Sequence, residues 1–400
     1  MSVQEIRNAL TMAHTRQSKE AMQFLEYFMQ NSKPSLLFDT AKTIVNANNA
    51  GIRELHYSSQ LCKRLVEIVD DENSLASIRD FALTVVLRCS DSSQRNVRNF
   101  FLVVVSWVAI KSTQWKPEMV CAYVNSVLTK DNNVNGLCSF LEFLQTLPEE
   151  LGSSKTNRLV TKKRKKCIST AFRSEVRQYI NILETQIKRF PQSMEIRHRA
   201  FEAATSWIEF ASLRNVAQVL LYLNCPIMTF ASSHLTSSST KLLTCILNSY
   251  TERCDGLAKV CRKQQKVSIE IGDFQSLDRR IEELATPIIS VMSSTKSDEF
   301  MFHAAEVLTS LLRAGLSRIA FSQQQQQQQQ RCFTLHTLAV CVLKYVVVCV
   351  RHSRNRIQKN TQTQVHSNTR LGHDSKCDLT VLEFTDYTCE CKCIIDCGSV

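Results

Sequence analysis

Three groups of residues in this chain could do chemistry by type and spacing. They are four cysteines near the end (Cys389, Cys391, Cys393, Cys397), the adjacent carboxylates Glu149 and Glu150, and five consecutive cations from Lys162 to Lys166. Clustered thiolates suggest zinc. Tetrahedral zinc sites use two-residue gaps and a second, separated pair of ligands. The Cys-x-Cys-x-Cys spacing has neither, so no metal site is expected. Paired carboxylates suggest general acid–base work, but neighbours on a helix point about 100° apart. Glu149 and Glu150 therefore do not converge on one substrate atom. They follow Leu147-Pro148, which reads as the end of one helix. Pro148 then pre-sets a new first turn, where both acids would meet the positive dipole end. The basic run reads as a solvated loop or helix start, as a nuclear-localisation peptide, or as an acid-binding patch.

Other nucleophile, base and phosphate signatures are absent. The sequence contains no G-x-S-x-G, His-Glu-x-x-His, G-x-G-x-x-G or G-x-x-x-x-G-K. His14, His56, His198, His234 and His303 stand alone on predicted helices or loops and read as structural or solvated. The expectation is a protein without catalytic residues, metal or cofactor, and not an enzyme.

The 400 residues include only 8 glycines and 6 prolines, where average usage would give roughly 28 and 20. Glycine supplies the positive-φ corners of turns and the close approaches of phosphate loops. Its scarcity argues against sandwiches, barrels, Rossmann domains and P-loops and for helices on short polar loops. The formal charge of +12 suggests an acidic partner. Arginine-glycine tracts, zinc-finger spacing and aromatic RNA-binding motifs are missing, so direct nucleic-acid binding is not expected. Nine of the 17 cysteines are scattered singly before residue 262, mostly in apolar helical stretches. There they behave as small buried hydrophobes of a reduced compartment. The opening "MSVQEIRNAL" lacks an apolar signal core, which points to a cytosolic or nuclear home.

Apolar residues recur at helical spacing almost throughout. Successive helices are expected in "SKEAMQFLEYFMQ", "SLLFDTAKTIVNA", "LHYSSQLCKRLVEIV", "SLASIRDFALTVVLRC", "NVRNFFLVVVSWVAI", "PEMVCAYVNSVL" and "GLCSFLEFLQTL". The nearly all-apolar fifth would be buried on several sides, and the sixth opens on a proline suited to a first turn. Further on come "STAFRSEVRQYINILETQIKRF" as one long run ended by Pro191, "SMEIRHRAFEAATSWIEFA", "NVAQVLLYL" and "SSSTKLLTCILNSYTERC" with serines suited to an N-cap. "SLDRRIEELATPIISVMSS" and "DEFMFHAAEVLTSLLRAGL" close the regular part. Each helix would span about 12 to 20 residues and pair in units of roughly 40, the period of HEAT-type arrays. The expected fold is an all-α HEAT-repeat solenoid, a right-handed superhelical array of antiparallel helix pairs.

Composition changes abruptly near residue 321. Gln323 to Gln330 form a low-complexity tract. The apolar run from Cys332 to Val350 approaches membrane-span length, but His336 and Lys344 interrupt it, so no membrane partner is expected. Residues 1–90 and 91–320 thus read as two stretches of repeats, and 321–400 as a glutamine tract and atypical disordered tail.

Several segments carry a family resemblance. "LCSFLEFLQTLPEEL" resembles the helix-then-LPEE segment of the importin-β superfamily, in the branch containing transportin-3 and importin-13. "EAMQFLEYFMQNSKPSLLFDTAKTIV" is similar to that family's opening repeat, with Leu36 or Leu37 near the place of its usual tryptophan. "LHYSSQLCKRLVEIV" resembles its small-small-Gln-x-x-Lys helix through Ser58, Ser59, Gln60 and Lys63. "SLASIRDFALTVVLRC" resembles the next helix, and "ATSWIEFASL" the segment carrying Ser206-Trp207. The resemblance implies a nuclear transport receptor that shuttles between nucleus and cytoplasm, here as a truncated N-terminal form. Its implied partners are the GTP form of the small GTPase Ran, protein cargo such as arginine-serine-rich splicing factors, and phenylalanine-glycine nucleoporins. It implies a Ran contact at Gln60, Lys63 and Arg64, on the helix matching an early inner helix. The rival expectation is a helical-repeat scaffold that joins proteins without Ran. Trp207 is expected in the core.

Overall fold

The computed structural model describes residues 3–323 apart from residues 48–49, 90–91, 131–133, 214–215, 263–270 and 295–296. These residues fall within one unit, Met1–Leu343. Among them the chain forms sixteen α-helices and no strand. The glutamine tract from residue 324 onward, the apolar run 332–350 and the tail cysteines lie outside the described residues.

The helices are α1 (Val3–Thr15), α2 (Lys19–Asn31), α3 (Pro34–Asn46), α4 (Ile52–Ile68), α5 (Glu72–Arg88), α6 (Arg95–Lys111), α7 (Pro117–Leu128) and α8 (Val134–Gly152). After a 3₁₀ turn, Ser154–Arg158, come α9 (Lys162–Ser174), α10 (Val176–Arg189), α11 (Met194–Ala211), α12 (Val216–Leu223), α13 (Pro226–Ser233), α14 (Ser237–Arg262), α15 (Ile271–Ser294) and α16 (Asp298–Gln323). Punctuation in the sequence sets their starts. Prolines open α3, α7 and α13, where the missing N–H has no intrahelical partner to lose. Ser18, Asp71, Thr161 and Ser193 each accept a backbone N–H at the start of α2, α5, α9 and α11. At α14 the capping residue is Thr236 rather than the serines. Ser239 Oγ receives the Thr236 N–H at 2.7 Å, and Thr236 Oγ1 receives the Ser239 N–H at 3.4 Å.

Packing follows a repeating plan. Consecutive helices pair: α1 with α2, α3 with α4, α5 with α6, α7 with α8, α10 with α11, α15 with α16. The second helices then stack on one another in a layer, α4 on α6, α6 on α8, α8 on α11, α11 on α14, α14 on α16. The first helices form a thinner layer in which α3, α5 and α7 touch in order, as do α10, α13 and α15. The result is an all-α, HEAT-like array in which each pair buries apolar surface against its neighbours. Hydrogen bonds between pairs recur at separations of 40 to 44 residues, as in Lys111 to Glu67, Tyr123 to Asp80, Arg177 to Leu221 and His198 to Ser238. This is the repeat period, visible in contacts rather than in aligned residue types.

Burial in α6 matches its composition. Twelve of its seventeen residues are buried, because α4, α5 and α8 all pack on it. Leu37 is fully buried whereas Leu36 is exposed, so Leu37 takes the core position in α3. Ser58 and Ser59 are buried too, and Ser58 Oγ donates to the Ala41 carbonyl at 3.0 Å, joining α4 to α3.

Three local expectations are corrected. First, α8 does not stop at Leu147 but runs through Pro148 to Gly152. A proline inside a helix costs about 3 kcal/mol. Continuing the helix keeps Leu147 and Leu151 buried at 0% and 2% exposure, worth about 1.5–3 kcal/mol each, so packing prevails. Glu149 and Glu150 then sit at the last turn, the negative end of the dipole, and need other partners. Second, the long run from Ser169 breaks at Glu175, whose N–H bonds Phe172 O, into α9 and α10. The break lets α9 bond back to the 3₁₀ turn through Lys165 while α10 pairs with α11. Third, helix lengths range from 8 residues in α12 and α13 to 26 in α14 and α16. Pro287 lies inside α15.

The cysteines behave as packing residues. Cys62, Cys89, Cys121, Cys138, Cys225 and Cys254 are buried, Cys245 is half-buried and Cys167 is exposed. Burial pushes Cys62 and Cys121 up to about 12 and Cys138, Cys225 and Cys245 up to about 11. A thiol must ionise to react. Native protein treated with iodoacetamide at pH 8 is therefore expected to carry label on the Cys167 peptide and not on the Cys62 or Cys121 peptides. Rapid native labelling of Cys62 or Cys121, read by peptide mass mapping, would contradict this packing.

Candidate functional site

The sequence-predicted trio lies on one face of α4, at positions i, i+3 and i+4, and is half-buried. Gln60 Nε2 lies 2.9 Å from His56 Nε2, and the His56 ring lies tilted against Phe100, 4.4 Å between centroids. Arg64 pairs with Glu67 at 3.0 Å. Lys63 does not project freely. Its ammonium lies over the Trp107 ring of α6, 5.8 Å from the centroid, within cation–π range.

Trp107 is the hub of this region. Its Nε1 donates to Glu150 Oε2 at 2.7 Å. That bond gives Glu150 the donor that the C-terminal end of α8 cannot supply. Glu149 finds its own partner in Ser206 of α11, whose hydroxyl donates at 3.0 Å. The guanidinium of Arg158, on the 3₁₀ turn, also sits 5.8 Å from the Trp107 centroid and pairs with Glu67 at 2.8 Å. So α4, α6, the end of α8 and the 3₁₀ turn meet around one indole.

The basic run joins this region. Its residues form the first turns of α9, and two of its five cations turn back into the fold. Arg164 donates to the Lys111 carbonyl at 2.8 Å. Lys165 Nζ donates to Ser153 O, Thr156 Oγ1 and Asn157 Oδ1 at 2.5, 2.9 and 2.7 Å, which fastens α9 to the 3₁₀ turn. Lys111 in turn holds Glu67 O and Asp70, both at 2.9 Å.

The electrostatics is net positive. Burial holds the Lys63 ammonium below the usual lysine range; the Glu150 carboxylate opposes this, and the Lys155 and Arg158 charges add to it. Burial likewise lowers Lys165 against Glu150. His56 is lowered by burial first and then by Lys63 and His14. Burial would raise the Glu72 carboxyl, but hydrogen bonds from Ser112 and Thr113 and the nearby Arg164 charge hold it below the carboxylate range. Such a surface can hold anionic groups of a partner. No nucleophile stands beside a base in it, and no cluster of three metal-ligating residues occurs among the described residues.

A second polar assembly was missed by the sequence reading. Glu142 of α8, 1% exposed, receives Arg98 of α6 through two bonds, 2.9 and 3.1 Å. Arg95 of α6 and Arg199 of α11 approach the same carboxylate at 3.2 and 3.5 Å. Glu202 of α11 takes Arg95 at 3.1 Å and Arg199 at 3.5 Å. This network clamps three successive second-layer helices. Its only sequence signal is the 44-residue separation of Arg98 and Glu142, the repeat period itself. Among the described residues no helix is long and apolar enough to cross a membrane.

No curated protein matches the chain. Residues 56–247, from α4 into α14, match the family model for exportin 1-like protein, so that segment is similar to the exportin 1-like family.

Proposed function

We propose that the chain works as a nuclear transport receptor of the karyopherin type, close to the transportin-3 and importin-13 branch. The observation that carries this reading is the stacked two-layer array coinciding with the exportin 1-like match at residues 56–247. In this reading Gln60, Lys63 and Arg64 on α4 meet the GTP form of Ran, with Lys63 braced against Trp107. Positive charge there suits an acidic patch on the partner and speeds encounter. Cargo, arginine-serine-rich splicing factors among the candidates, would use the same layer, so that Ran and cargo compete by differential affinity. The receptor would shuttle between nucleus and cytoplasm.

The first-helix layer offers a place for nucleoporin phenylalanines. A groove of about 330 Å³ is lined by Cys121 and Ala122 of α7, Phe140 of α8, and Tyr179 and Ile182 of α10, among others. Its lining is mostly apolar, as an aromatic side chain requires. The receptor reading is tested by passing the full chain over immobilised Ran locked in its GTP or GDP form. Retention on the GTP form alone is expected. Equal retention on both forms, or on neither, would leave a Ran-independent helical scaffold as the better account.

A further inference from the structure

We infer that the surface made by the 3₁₀ turn and the start of α9 is a docking site for an acidic, extended segment of a partner protein. Its contact residues are Lys155, Arg158, Lys162, Lys163 and Lys166. All five are exposed, and the Arg158 side chain is 64% accessible even while paired with Glu67. Lys155, Lys162, Lys163 and Lys166 have no acidic partner among the described residues.

The placement of these cations is unfavourable unless something compensates. The first turn of a helix is its positive end and favours acids, yet α9 carries five cations there and no acid in its first turn. Arg164 and Lys165 meet backbone and side-chain oxygens inside the fold, while their three neighbours point outward with nothing to neutralise them. The excess is not confined to one helix end: the 3₁₀ turn, fastened to α9 through Lys165, adds the exposed Lys155 and Arg158 to the same surface.

The anchoring of Arg164 and Lys165 also argues against the run acting as an extended localisation peptide in the folded protein, since two of its five cations are already engaged. A nucleic acid fits less well than an acidic peptide. Single strands need aromatic faces on which bases stack, but Trp107, the ring these cations meet, is 3% exposed with Lys63 and Arg158 over it, and Phe172 of α9 is 1% exposed. A carboxylate-rich peptide needs only charge and reach.

This inference does not rest on the receptor reading; acidic-peptide binding by a chain that ignores Ran would leave it standing. The test is fluorescence anisotropy of a fluorescein-labelled twelve-residue peptide of alternating Glu and Asp, titrated with the full chain at about 0.1 M salt. The wild type should bind it and should ignore a Gln/Ser peptide of equal length. K162E/K163E/K166E should weaken binding by at least about tenfold. The neutral variant K155Q/K163Q, which adds no repulsion, should weaken it by a smaller factor, with an unchanged circular-dichroism melt. Unaltered peptide affinity in both variants, or tighter binding of an oligothymidylate of equal charge, would overturn the proposal.

Discussion

Replacing Glu142 with alanine is expected to destabilise the protein by about 3–5 kcal/mol, the effect of breaking a buried ion pair from one side. The carboxylate is almost fully buried and faces three guanidinium groups from two neighbouring helices. Arg98 and Arg199 are themselves only 2% and 8% accessible. Without Glu142, Arg98 keeps its bond to the Cys89 carbonyl at 2.9 Å but loses its charged partner. Glu202 and Glu195 still serve Arg199, so the loss concentrates on Arg98. The isosteric Glu142→Gln keeps an acceptor and the volume, and should fall between alanine and wild type. Urea unfolding followed by circular dichroism measures this as a lower midpoint. A midpoint unchanged by Glu142→Ala would show that the clamp between α6, α8 and α11 contributes nothing to cohesion.

Trp207→Ala should have a comparable effect, about 3–5 kcal/mol, for a different reason. The indole of α11 is 0% exposed. Its ring lies 4.1 Å from Tyr179 of α10, 5.9 Å from Phe210 and 6.4 Å from Phe172 of α9, centroid to centroid. One side chain thus joins three helices at the point where α9 interrupts the regular pairing. Its Nε1 is buried without a hydrogen-bond partner among the described residues, an arrangement that itself opposes folding. Trp207→Phe retains most of the aromatic packing and removes that donor, so it should be much milder than alanine. An unchanged melting temperature for Trp207→Ala would place the ring outside the core.

Most helices were legible because their apolar spacing, their prolines and their capping residues all agree, as at Pro34, Pro117 and Ser193. Disagreement arose where tertiary packing outweighs a local rule. Pro148 reads as a stop, yet Leu147 and Leu151 hold the helix together beyond it. The run from Ser169 reads as one amphipathic helix, yet the turn at Glu175 satisfies two packing directions that no periodicity records. The site was legible only in outline. Lys63 and the run at Lys162–Lys166 stand out in the sequence, but they are a hundred residues apart. What joins their surroundings is Trp107, which reads as one more apolar residue in a buried helix. Glu142 was equally hidden, since an acid amid "FLEFLQ" looks like an ordinary solvated position until the neighbouring helices supply arginines.

The most direct test of the central claim, that the α4 face receives Ran in a nucleotide-dependent way, is calorimetric titration of the full chain with Ran carrying a non-hydrolysable GTP analogue, and then with the GDP form. Binding to the GTP-like form only is expected, weakened about tenfold or more in a K63Q/R64Q variant. Heat of binding that is the same for both nucleotide forms, or that survives K63Q/R64Q unchanged, would contradict it.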